Sequence, residues 1–69
     1  MKISYNKLFK LLIDRNLKRK DLCRSAKISD ATMAKLGKGA NVNTDILVRI
    51  CEALDCDICD IMEIEKDEN

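Results

Sequence analysis

Histidine, proline and tryptophan are absent from the 69 residues, and only two glycines, one tyrosine and one phenylalanine are present. Without histidine, the commonest general base and zinc ligand near neutral pH is missing. Two glycines leave no glycine-rich phosphate loop, and the carboxylates gather in an acidic tail rather than in a facing pair, so nothing points to an enzyme. Asp55, Asp57 and Asp60 lack the spacing and the glycine of a calcium loop. The N-terminal run MKISYNKLFKLLIDR breaks its apolar residues with Asn6, Lys7, Lys10 and Asp14, which excludes a secretory leader or a membrane span there. No cofactor, metal or small-molecule substrate is indicated.

What is there is leucine, isoleucine and charge. A chain of 69 residues holds one small domain, 1–69, and buries only about 60% of the surface its unfolded form exposes. Its composition suits short packed helices rather than a sandwich or barrel. The net charge of +1 hides an asymmetry: residues 1–38 carry 11 Lys/Arg against 3 Asp/Glu, net +8, and residues 39–69 carry 2 against 9, net −7. Such a split is the footprint of a chain that offers one end to a polyanion and keeps the other end away.

The hydrophobic spacing predicts five helices, at about 5–15, 19–26, 30–38, 44–54 and 58–62, packed as an all-α bundle. Ser4 is placed to cap the first, Ser29 the third, Asn43 the fourth and Asp57 the last; Asn16 and Gly39 suit left-handed termini. The second and third segments, separated by Lys27-Ile28-Ser29, have the dimensions of a helix-turn-helix. Lys18, Arg19 and Lys20 crowd the start of the second helix, where the macrodipole favours acids. A cationic cluster on free helix amides is what docking a phosphate requires; the plainer alternative is side chains that swing into water.

The four cysteines include Cys56-x-x-Cys59 with Cys51 nearby. A CxxC pair can bind zinc or cycle as a dithiol. Here Cys51 falls on the apolar stripe of the fourth helix, Cys56 on an apolar position and Cys59 at the surface, which favours reduced cysteines with a packing role.

Leu17, Leu22, Ile28-Ser29, Thr32-Met33, Leu36, Gly39 and LVRICEALDCDICDIM at 47–62 together resemble the Cro/cI-type helix-turn-helix domains of bacterial and phage regulators, the lambda-repressor-like or Xre family. The resemblance spans roughly residues 5–64. It implies a compact five-helix bundle, sequence-specific binding of double-stranded DNA by the third helix, a homodimer on a palindromic site and a role in transcription regulation, expected to be repression. A cytoplasmic, nucleoid-associated location follows from that role.

Matched to the family motif, Asp30, Ala31, Thr32 and Lys35 fall where base edges are read, and Lys18, Arg19, Lys38 and Asn41 where phosphates are held. Asp30 has a second reading, as an acid favouring its own helix dipole. Arg19 replaces the glutamine common at its position, Lys27 the usual turn glycine, Cys23 a small residue and Gly37 a polar one. The acidic tail with Ile58, Ile61, Met62 and Ile64 is the candidate dimer surface, unless these four close the core instead. A different class of function, a protein-interaction module on the same fold, would use the basic face or the tail for a protein partner.

Overall fold

Leu8, Leu22, Leu36 and Ile50, one from each α-helix, and Ile61, just past the final turn, are fully buried, so each helix is fastened at the centre by an aliphatic side chain worth about 1.5–3 kcal/mol on burial. The computed structural model describes residues 1–66; residues 67–69 of the expected domain lie outside the described residues. The elements run β1 (Lys2–Ser4), α1 (Asn6–Asp14), α2 (Arg19–Ala26), α3 (Asp30–Lys38), α4 (Thr44–Leu54), a single 3₁₀ turn at Ile58–Asp60, and β2 (Glu63–Glu65). The four expected α-helices are present within a residue or so of their expected bounds.

The fifth helix is not. Asp57 caps it as expected, accepting from the Ile58 N–H at 2.7 Å, and Asp60 reaches back to the Asp57 N–H at 3.0 Å. The two carboxylates close only one tight turn, after which Glu63-Ile64-Glu65 extends and pairs antiparallel with Lys2-Ile3-Ser4, Ile3 opposite Ile64. The fold is therefore mostly helical with a small two-stranded sheet, not all-α. Ion pairs of Lys2 with Glu65 and of Lys7 with Glu63, at 3.6 and 3.9 Å, bring part of the acidic tail onto the basic N-terminus.

The sheet alters the expected dimer surface. Ile61 is fully buried and Met62 half-buried against the core, so both serve the core; Ile58 and Ile64 remain exposed. Ser4 belongs to β1 rather than to the helix cap position, which Tyr5 holds, although the Ser4 hydroxyl still accepts the Asn6 N–H at 3.2 Å. Ile13, near the end of α1, is 73% exposed although it is apolar. Asn43 occupies the cap position of α4 without a capping side-chain hydrogen bond. At the other end of α4, the Arg15 guanidinium donates to the Leu54 carbonyl, placing a cation on the negative end of that helix.

Candidate nucleic-acid interface

The turn between α2 and α3 is set by local signals. Lys27 ends α2 in the left-handed conformation, φ 57° and ψ 48°. Ile28 is buried, and the Ser29 hydroxyl then accepts the Thr32 N–H at 3.1 Å to start α3. Met33 and Leu36 turn inward, and Gly39 closes the helix with φ 71°. With its inner stripe committed to the core, α3 presents Asp30, Ala31, Ala34, Lys35 and Lys38 outward. Ala31 and Lys35 lie one turn apart on one face, as do Asp30, Ala34 and Lys38. Ala34 joins this face although the family motif does not point to it.

The expected base readers are not equivalent. Lys35 is exposed and has no ion pair among the described residues. Thr32 is half-buried, and its hydroxyl lies 3.0 Å from the Ser29 hydroxyl, so it acts within the cap. Asp30 accepts a long hydrogen bond from the Cys23 thiol at 3.8 Å. Burial, then the Asp30 carboxylate, push the Cys23 thiol above its ordinary pKa, which keeps that pair neutral on the sulfur side.

Lys18 and Arg19 occupy the cap and first positions of α2, where backbone amides point out of the helix. The local rule their charges break is partly mended by Asp21, whose carboxylate accepts the Lys18 N–H at 2.9 Å. A glutamate or glutamine normally fills that role; an aspartate at the third helical position was the signal in the sequence. Arg19 lies over the Phe9 ring, its Cζ 4.5 Å from the centroid, and reaches Gly37 near the end of α3. It links the start of α2 to the end of α3, where Lys38 is exposed. Asn41 is exposed in the loop before α4.

Of the tail acids, Glu65 and Glu63 pair with Lys2 and Lys7 of the N-terminal segment. Among the described residues, Lys18, Arg19, Lys35 and Lys38 form no ion pair, whereas Lys2, Lys7 and Arg49 do. Cys23 touches this face through Asp30, whereas Cys51 and Cys56 line a groove with Leu47, Val48 and Ile58, and the Cys56 N–H donates to the Cys51 carbonyl at 3.0 Å. Among the described residues no three acidic, cysteine or histidine side chains are grouped to hold a metal. No described helix is long and apolar enough to cross a membrane.

A comparison with curated protein sequences gave no significant match. A crystal structure of the transcriptional regulator VanUg superposes with a TM-score of 0.86 at 52% identity, over 90% of this chain and 83% of that one. The profile of the Cro/C1-type HTH DNA-binding domain matches residues 7–67, from within α1 to beyond β2. With that match running through every helix and the exposed cations gathered on the helix-turn-helix, the chain belongs to the Cro/C1-type helix-turn-helix DNA-binding family.

Proposed function

We propose that the protein is a sequence-specific transcriptional regulator, acting as a repressor, that lays α3 in the major groove of double-stranded DNA. The observation that carries this reading is the outward face of α3, where Ala31 and Lys35 are exposed and Lys35, like Lys18, Arg19 and Lys38, forms no ion pair among the described residues. Lys35 donates to guanine O6 and N7, Ala31 packs against a thymine methyl, and Asp30 accepts from cytosine N4. Lys18, Arg19, Lys38 and Asn41 hold the backbone and fix the register without reading sequence. The similarity to VanUg, a transcriptional regulator, supports the regulatory role.

One copy of so small a domain makes about four to six phosphate contacts and binds weakly. A homodimer doubles that hold on the backbone and sets two α3 helices about 34 Å apart, one turn of DNA. Ile58 and Ile64, exposed among the acidic residues of the tail, are the residues left to such a dimer surface. The functional site acts by binding, with no bond made or broken.

Selection from a random duplex pool at about 50 and about 200 mM salt, for the wild type and Lys35→Ala, tests this. The expected result is an enriched palindrome whose preference relaxes at defined positions in the variant. Retention without enrichment would leave only an electrostatic binder, and no retention at either salt would transfer the function to a protein partner.

A further inference from the structure

The exposed Arg19 guanidinium lies over an aromatic ring. Its Cζ sits 4.5 Å from the Phe9 ring centroid, and its Nη1 lies 3.7 Å from where a Cβ on Gly37 would stand. Phe9 belongs to α1, Arg19 opens α2 and Gly37 lies in the last turn of α3, so three helices converge on one charged group. Among the described residues no carboxylate or carbonyl binds it. A guanidinium stacked on a ring keeps its N–H donors in its own plane, directed past the ring edge. The stack therefore restricts a long side chain before an anion arrives and leaves free the donors that a phosphate takes.

Gly37 has a part in the same arrangement. A single Cβ would make an ordinary contact with Nη1, whereas a longer side chain would bring its next atoms into the space the guanidinium fills. The glycine weakens α3, since it costs backbone entropy in a helix. Its position beside Arg19 gives that weakness a use.

We propose that Phe9 is a positioning residue for a phosphate contact made by Arg19, and that Gly37 leaves the room in which the guanidinium lies along α3. The inference rests on the DNA-binding reading above. It separates two things that charge alone would merge: the presence of a cation at the start of α2, and its being held in place.

The test is a double-mutant cycle on the full chain, with a mixed-sequence duplex as probe across a salt series. Arg19→Ala is expected to weaken binding and to lower the slope of log affinity against log salt by about one, because one phosphate is no longer neutralised. Phe9→Leu keeps the charge, so the slope stays while affinity falls about two- to fivefold, the equivalent of one exposed cation–π interaction. Phe9→Tyr restores it, and Phe9→Leu has no further effect once Arg19 is Ala. Gly37→Gln, which leaves the core untouched, reproduces the weakening even should Phe9→Leu fail to fold, and Gly37→Ala does not.

Free of DNA, the Arg19 side-chain protons should resonate upfield in the wild type and Phe9→Tyr and return downfield in Phe9→Leu. Equal weakening by Phe9→Leu with and without Arg19, or no weakening at all, would overturn the proposal. A wild type that keeps the upfield shift yet binds no duplex would overturn the DNA-binding reading itself, and this role with it, while leaving the stack as structure.

Discussion

The α-carbon of Gly39 lies against the carbonyl oxygen of Ile3: a Cβ built on it would stand 2.9 Å from that oxygen. Because φ at Gly39 is 71°, any other residue meets two penalties, the left-handed conformation and the approach of β1. Gly39→Ala is expected to cost about 2–3 kcal/mol and to lower Tm by about 10 °C or more. Asparagine tolerates the left-handed region better, so Gly39→Asn tests which penalty dominates. If Asn recovers most of the stability, the conformation dominates; if it recovers little, the approach to Ile3 does.

Lys27 shares the left-handed conformation, φ 57°, and its carbonyl accepts a hydrogen bond from Arg49 at 3.3 Å. Here glycine should help. Relief of about 1–2 kcal/mol of backbone strain, less the roughly 0.5–1 kcal/mol that glycine loses in chain entropy, leaves Lys27→Gly more stable by up to about 1.5 kcal/mol. A urea denaturation midpoint above that of the wild type, at unchanged m-value, is the expected result.

These two turns also show what was legible in the sequence and what was not. Ser29, Gly39 and Asn16 act on their own neighbours within a few residues, so α1 and α3 could be bounded by inspection. Strand β2 could not: Glu63-Ile64-Glu65 is too short to show a period, and its partner lies at the opposite end of the chain. The same limit hid Phe9, which meets Arg19 only once α1 and α2 have packed. Ile61 and Ile64 share a residue type and a neighbourhood, yet one is fully buried and the other 64% exposed, a difference decided by the strand. The candidate site residues could be named from the sequence through the family motif, whereas the pairing of Lys2 and Lys7 with Glu65 and Glu63 is tertiary and could not be.

Asp21 couples stability and binding with opposite signs. Its carboxylate holds the Lys18 N–H at 2.9 Å and is the acid in the first turn of α2, so Asp21→Ala should destabilise the fold by about 0.5–2 kcal/mol. The same change removes a negative charge from among Lys18, Arg19 and Lys20. Affinity for a mixed-sequence duplex at low salt should therefore rise while the urea midpoint falls. An affinity that drops together with stability would place the phosphate contacts elsewhere.

Alkaline stability should depend on Cys51. Burial, followed by the neighbouring Cys56, pushes its thiol from 9.0 up to about 11. Below the lower value both folded and unfolded chains hold this proton, and its contribution to stability is fully present. As pH rises from about 9 to about 11, the unfolded chain releases a proton that the folded chain keeps, so stability declines across that window and levels once the folded thiol also ionises. Cys23 and Cys56 are raised as well, each chiefly by burial, and act in the same direction. Comparing the wild type with Cys51→Ala isolates the one group. The variant's denaturation midpoint should fall less steeply across the window, and curves that stay parallel would mean that this thiol is not held protonated by the fold.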